Sequence, residues 1–172
     1  MATLQHNISG ELTQELIAPG GGVTVTKISL ANIQKVSNCK VDLYIEKRLT
    51  GRYYLVRNLE LPNGVTLILD DFTNFNTNAG EFGLYIKLTD GDSFTLTGSI
   101  DVIANTALTG TNTLFLSELS IGDEVVVSGE TRIIDVLEFD NTARVTLPFG
   151  SDLANDTSPD CNPTALVDVI IN

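Results

Sequence analysis

Short apolar stretches with a period of two run through most of this chain, and no segment shows the period of an α-helix. The clearest example places Val41, Leu43 and Ile45 on one face, with Asp42, Tyr44 and Glu46 on the other. Alternation of this kind buries one side of a β-strand and leaves the other side solvated. The sequence therefore predicts an all-β protein.

Similar strand patterns fill the first hundred residues. Leu61-Pro62-Asn63-Gly64 and Asp90-Gly91-Asp92 are turn sequences, and they predict one hairpin of residues 52–57 with 65–69 and another of 82–88 with 94–96. Together with residues 11–18 and 99–104, this gives roughly seven strands in about 100 residues. We predict an N-terminal antiparallel β-sandwich or jelly-roll-like domain over residues 1–104.

A small, polar stretch at residues 105–112 is the predicted linker. About five short strands follow it and predict a small SH3-like or OB-like β-barrel domain over residues 113–172. The stretch from Phe149 to Pro163 is rich in Ser, Asp, Asn and Pro, so we expect a surface loop. Asp152, Asn155 and Asp156 in this loop are candidate partner contacts.

Two similar segments, Ser99–Asn105 and Leu166–Asn172, close the two predicted domains. The modest interpretation is that both are ordinary strands with high β propensity. The alternative is a duplicated edge strand that pairs between neighbouring subunits, and it fails if both segments are central strands.

The composition excludes several functional classes. A net charge of −12 and only ten Lys and Arg argue against direct binding of nucleic acid, which needs a basic stripe. The chain has no apolar run long enough for a membrane helix, and residues 1–10 do not resemble a signal peptide. We expect no membrane association.

The two cysteines are far apart in the sequence, and neither belongs to a Cys-x-x-Cys motif or a Cys/His cluster. We expect Cys39 and Cys161 to be free thiols. A disulfide between them is the alternative, since sequence alone does not decide pairing.

The sequence contains few candidate catalytic residues. The one histidine, His6, lies in a predicted tail, and the paired carboxylates occur in turns, where Asp caps its own backbone. Asp90 and Asp92 are a weak calcium candidate, because they present oxygen ligands at alternate positions without the rest of a calcium loop. We expect no enzyme activity and no cofactor.

The only cationic concentration is formed by Lys47, Arg48, Arg52 and Arg57. In an acidic protein, these side chains could dock the carboxylates of a neighbouring subunit. The alternative interpretation is that they are ordinary solvated charges of a hairpin.

The segment from Gly110 to Ile134 carries the pattern G-T-x-T-x-F-x-x-x-L-x-x-G-D, a short apolar strand, a glycine turn and E-T-R. It resembles a small β module of tailed-bacteriophage structural proteins. Residues 25–32, 41–45 and 53–56 are similar to the first domain of virion proteins of marine, T4-like phages. Leu114 and Leu116 depart from the family pattern, which has small polar residues there.

The resemblance implies a virion structural protein without catalytic activity. We favour a capsid decoration or cement protein that binds neighbouring capsid subunits and forms homo-oligomers in the particle after synthesis in the host cytoplasm. A neck or tail component is the first alternative. A host-recognition or carbohydrate-binding adhesin is the second, and it would need exposed aromatic side chains, although the chain has no Trp.

Overall fold

The computed structural model describes residues 3–47, 51–72, 75–77 and 82–172. These ranges contain sixteen strands and one short helix: β1 Leu4–Ser9, β2 Gln14–Ile17, β3 Ile28–Asn32, β4 Cys39–Lys47, β5 Gly51–Leu61, β6 Thr66–Leu69, β7 Phe82–Thr89, β8 Phe94–Thr95, β9 Ser99–Val102, β10 Ala107–Thr111, α1 Phe115–Glu118, β11 Glu124–Val127, β12 Glu130–Phe139, β13 Thr142–Val145, β14 Leu153–Asp156, β15 Asp160–Asn162 and β16 Leu166–Ile171. The all-β prediction is confirmed.

The chain forms two compact units. The first unit comprises Met1–Ile33, Asn38–Asp90 and Ala165–Asn172, and the second comprises Gln34–Ser37 and Gly91–Thr164. The second unit is therefore largely an insertion before the last strand of the first.

The first unit is a jelly roll. Its eight strands form two four-stranded antiparallel sheets, in the orders β1-β16-β3-β6 and β2-β7-β4-β5. In chain order, the first strand pairs with the last, the second with the second last, and so on inward, with β1 on β16, β2 on β7, β3 on β6 and β4 on β5. This nested pairing is the arrangement of a double Greek key.

One apolar core fills the first unit, and both sheets contribute to it. Alternate residues of each strand point inward, which is why the period-two pattern was visible in the sequence. The fully buried members include Ile28, Leu30, Val41, Leu43, Leu84, Ile86, Leu88, Val167 and Val169.

The second unit contains one eight-stranded antiparallel sheet. Its strand order is β14-β9-β10-β13-β12-β11-β15-β8. Strand β9 pairs with β14, and β8 pairs with β15, which also pairs with β11. These pairings enclose a second core that includes Ile100, Leu108, Phe115 and Val125.

The structure corrects the predicted domain boundaries. Most of the predicted linker at residues 105–112 is strand β10, which pairs with β9 on one side and β13 on the other. Residues 94–102 belong to the second unit, and β16 belongs to the first. A small, polar composition indicated a linker, but Leu108 in this stretch is fully buried.

Both predicted hairpins are wrong. Strand β5 pairs with β4, whereas β6 pairs with β3 in the other sheet. Strand β7 pairs with β2 and β4, whereas β8 pairs with β15. The turn sequences correctly mark where the chain reverses. In a jelly roll, however, most connections cross between the sheets, so most consecutive strands are not neighbours.

The duplicated edge-strand hypothesis also fails. Strand β9 lies between β10 and β14, and β16 lies between β1 and β3, so both segments are central strands. The predicted surface loop at residues 149–163 contains β14 and β15, and Phe149 and Cys161 are buried.

Candidate interaction surface

A row of four side chains crosses the outer face of the sheet β2-β7-β4-β5. Leu43 points into the core, so the next residue of β4, Tyr44, points away from it. The strand register places Tyr44 opposite Tyr85 on β7 and Tyr54 on β5. Glu15 on β2 lies opposite Tyr85 and completes the row.

The three tyrosine rings are in contact. Tyr44 stacks on Tyr85 with ring centroids 5.8 Å apart and an interplanar angle of 20°. On its other side, the ring of Tyr54 lies 5.4 Å from Tyr44 and is tilted by 53°. Cross-strand aromatic pairs of this kind stabilise a sheet and leave it with a rigid outer face.

The hydroxyl groups at the two inner positions differ. The Tyr85 hydroxyl donates a hydrogen bond of 3.1 Å to Glu15 Oε2, and burial, followed by this hydrogen bond, raises the pKa of Tyr85. The Tyr44 hydroxyl is buried and has no hydrogen-bond partner in the described part of the chain. A buried polar group without a partner costs free energy, so Tyr44 marks a local departure from an optimised fold.

Two arginines lie over these rings. The Arg52 guanidinium carbon is 4.2 Å from the centroid of Tyr44, and that of Arg57 is 5.1 Å from the centroid of Tyr54. Arg52 Nη2 also lies 3.2 Å from Glu46 Oε2, in an ion pair with both side chains about half exposed. Stacking on a ring restricts an arginine side chain while its polar edge stays accessible.

Positive charge is concentrated on this sheet. Six of the ten Lys and Arg occur in β4, β5, β7 or the segment between β4 and β5. By the alternation of β4 and β7, Lys40 and Lys87 share the outer face with the tyrosines, and so do the acidic residues Asp42 and Glu46 of β4. We call the exposed and half-buried residues around the buried Tyr44 the cationic tyrosine surface: Lys40, Arg52, Tyr54, Arg57, Tyr85 and Lys87.

The predicted cationic contacts fall on or beside this surface. Lys47 ends β4, Arg52 and Arg57 lie in β5, and Arg48 is outside the described residues. Sequence reasoning had already placed Tyr44 on the outward face of its strand. It missed the row of tyrosines because the registers of β4 with β7 and of β4 with β5 are not visible in the sequence.

The predicted partner contacts of the loop at residues 149–163, which are Asp152, Asn155 and Asp156, lie in the second unit and form hydrogen bonds within it. Asp152 Oδ1 accepts a bond of 2.7 Å from Ala104 N, and Asp156 Oδ2 accepts one of 2.5 Å from Ser128 N. The backbone N–H of Asn155 donates a hydrogen bond of 2.5 Å to Asp101 Oδ1. These residues therefore shape the surface of β9 and β14, and their role in partner binding stays a prediction.

The weak calcium candidate divides between the units. Asp90 belongs to the first unit, where its Oδ1 accepts a hydrogen bond of 2.7 Å from Ala165 N, whereas Asp92 belongs to the second. Within the residues that the structure describes, no group of three or more His, Cys, Asp or Glu side chains is arranged to hold a metal ion.

One buried carboxylate has a perturbed pKa. Asp123 is fully buried and accepts hydrogen bonds from Ser120 N, Thr164 N and Gln34 Nε2, at 2.7, 2.9 and 2.8 Å. Burial raises its pKa in spite of these bonds. Its partners tie together three segments of the second unit, including Gln34–Ser37. We interpret Asp123 as a structural residue.

The residues that carry the phage-like pattern belong to the core of the second unit. Phe115, Leu119 and Asp123 are fully buried. A Cβ atom on Gly110 would lie 2.0 Å from Thr113 Oγ1, so this position requires glycine. The residues of this pattern therefore pack the core of the second unit and do not form a chemical site.

No helix within the described ranges is long and apolar enough to cross a membrane.

No family model and no curated protein matches the sequence. A structure of the Gx strain of infectious bursal disease virus aligns with 99% of this chain and 41% of its own chain, at 10% identity and a TM-score of 0.24. This chain thus spans less than half the length of that one, and so low a TM-score supports no conclusion about fold or function.

Proposed function

We propose that this protein is a structural component of a bacteriophage virion and that it decorates or cements the capsid. The cationic tyrosine surface carries the proposal, because Tyr and Arg are among the side chains that are enriched where proteins bind one another. We expect a neighbouring protein subunit of the particle to cover that surface.

Two further features support a structural role. Jelly rolls recur in capsid proteins, although the same fold also serves lectins and cupins, so the fold alone does not assign a function. The pattern from Gly110 to Ile134, which resembles a module of phage structural proteins, forms part of the second unit.

Quantitative mass spectrometry of purified virions tests the proposal. A decoration protein should be present in hundreds of copies per particle, and its deletion should leave particles that break more readily on heating or osmotic shock. About a dozen copies and a failure of head–tail joining would indicate the alternative, a neck or tail component. Absence of the protein from purified particles would overturn both.

The surface itself is tested by complementing a deletion phage with variants. The double variant R52E/R57E should fold and fail to enter particles, because two cations become anions. Lys27→Glu, which lies outside the cationic tyrosine surface, is the matched control and should enter normally. Normal entry of R52E/R57E would show that this surface does not hold the protein in the particle.

An adhesin remains a competing proposal, because Tyr53 and Tyr54 are exposed aromatic side chains, at 55% and 39%. Both lie within strand β5 and not in a turn between strands. Specific glycan binding that is lost in Tyr53→Ala and Tyr54→Ala, together with inhibition of phage adsorption, would favour the adhesin over the decoration protein.

A further inference from the structure

The two units carry very different charges. The second unit has twelve Asp and Glu against three Lys and Arg, a net charge of −9. The first has ten against seven, a net charge of −3, and most of its cations are on the sheet with the tyrosines. Each chain therefore carries both a cationic surface and a strongly acidic unit.

The segments that contain β9 and β14 carry acidic residues and no basic ones. Residues 91–112 and 145–164, which contain these strands, include no Lys or Arg. We call Asp101, Asp152 and Asp156 the acidic strand pair, since they lie on or immediately beside β9 and β14.

The carboxylates of the acidic strand pair are held in place. Asp101, Asp152 and Asp156 each accept a hydrogen bond from a backbone amide, as described above, and Asp156 Oδ1 accepts a further one from Ser158 N at 3.0 Å. Asp101 and Asp152 are nevertheless exposed. Carboxylates fixed in this way lose little conformational freedom when they meet a cation.

The arginines of the cationic tyrosine surface are also held in place. Arg52 and Arg57 rest on tyrosine rings, so their guanidinium groups are already positioned before any partner arrives. Fixed opposite charges on two exposed surfaces favour encounter and set orientation.

We propose that the partner of the cationic tyrosine surface is a second copy of this chain, which docks through its acidic strand pair. The contact joins two different surfaces, so it is heterologous. This inference goes beyond the proposed function because it applies to the purified protein, with no other virion component present.

Sedimentation velocity of the purified full-length chain tests it. At about 50 mM salt the protein should self-associate as its concentration rises. At about 500 mM salt it should be monomeric, because exposed charges are then screened over a few ångströms. A chain that stays monomeric at low salt and millimolar concentration would overturn the inference.

Two variants identify the surfaces. R52E/R57E reverses the cationic side. D101N/D152N/D156N neutralises the acidic side. Asn keeps an acceptor oxygen for the backbone N–H bound at positions 101 and 152, and at position 156 it keeps one of the two acceptors. Alone, each variant should self-associate at least about tenfold more weakly than the wild type. Circular dichroism and thermal melting verify that both fold, and D70N/D71N in the first unit is the neutralisation control.

Mixing the two variants gives the decisive result. R52E/R57E keeps an intact acidic strand pair, and D101N/D152N/D156N keeps an intact cationic tyrosine surface, so the mixture should form a 1:1 complex. Undiminished self-association of either variant, or no complex in the mixture, would contradict the proposed contact. Because no particle is involved, this result is independent of whether the protein is a virion component.

Discussion

The Asp90 carboxylate accepts a hydrogen bond of 2.7 Å from the backbone amide of Ala165, so the two residues that bracket the long insertion meet. Asp90 follows β7, and Ala165 precedes β16, the last strand of the jelly roll. An insertion whose ends lie close together can be accommodated without disturbing the host domain.

The jelly roll should fold without its insertion. Replacing residues 91–164 with a four-residue Gly/Ser linker keeps all eight strands of the first unit, including β16 between β1 and β3. We expect a β-type circular dichroism spectrum and a single cooperative transition in urea.

The fragment of residues 1–104 is the matched comparison. It lacks β16 and should not unfold cooperatively, because β1 then loses its partner strand and β3 loses one of its two. A cooperative transition of this fragment would favour the domain boundary predicted from the sequence.

Gly98 should tolerate alanine poorly. It has a φ of +84°, and a Cβ atom there would lie 2.4 Å from the carbonyl oxygen of Thr111. Backbone strain and the clash together should lower the free energy of unfolding by about 3–5 kcal/mol in urea denaturation. Gly129→Ala is the control in the same unit, with a φ of +86° and open space, and should cost about 1–2 kcal/mol. Equal costs would contradict the predicted clash.

Asp123→Asn should destabilise the second unit. The amide nitrogen of Asn cannot accept from the backbone donors that Asp123 holds, so a buried N–H is left unsatisfied. We expect a loss of about 2 kcal/mol in the free energy of unfolding. The exposed Asp135→Asn should change it by less than about 0.5 kcal/mol. Similar values for both variants would show that the buried network contributes little.

The stability difference between the wild type and Asp123→Asn should depend on pH. The pKa of Asp123 is raised in the folded state above its ordinary value of 3.8, so the folded chain binds this proton more tightly than the unfolded chain. The stabilisation is complete below that value and is lost as pH rises through the folded-state pKa. In urea denaturation, the difference in the free energy of unfolding between the wild type and Asp123→Asn should therefore decrease from pH 4 to pH 7. A difference that increases with pH would contradict the prediction.

Both cysteines should be unreactive in the folded protein. Cys39 and Cys161 are free, as the sequence predicted, and both are buried in the structure. Burial, followed by the charge of Asp90, raises the pKa of Cys39 to about 11, and burial also raises the pKa of Cys161. The thiolate is the reactive form, so Ellman's reagent at pH 8 should label neither quickly. In denaturant the reagent should label both thiols. The control variant Thr131→Cys, which adds a cysteine at an exposed position, should have one thiol labelled rapidly in the folded state. Rapid native labelling of Cys39 would contradict its burial.

The sequence was informative wherever structure is local. The alternation of Val41, Leu43 and Ile45 predicted both the strand and its buried face, because side-chain direction in a strand depends only on neighbouring residues. Turn sequences such as Leu61-Pro62-Asn63-Gly64 correctly predicted chain reversal. All-β class and a jelly-roll-like first domain followed from these patterns.

Non-local pairing was not predictable. The pairing of β16 with β1 joins residues near opposite ends of the chain, and no local pattern indicates it. For the same reason, the contact of Tyr44 with Tyr85 was missed although both strands were predicted. The boundary at residues 105–112 failed because composition was taken as evidence for a linker, whereas Leu108 contributes to the core.

A density map of the intact virion would show what covers this protein in the particle. We expect the jelly roll to fit density on the outside of the capsid, with the face that carries Tyr54 and Arg52 covered by a neighbouring subunit. A particle in which this face points into solvent, or in which no density fits the jelly roll, would overturn the proposed function.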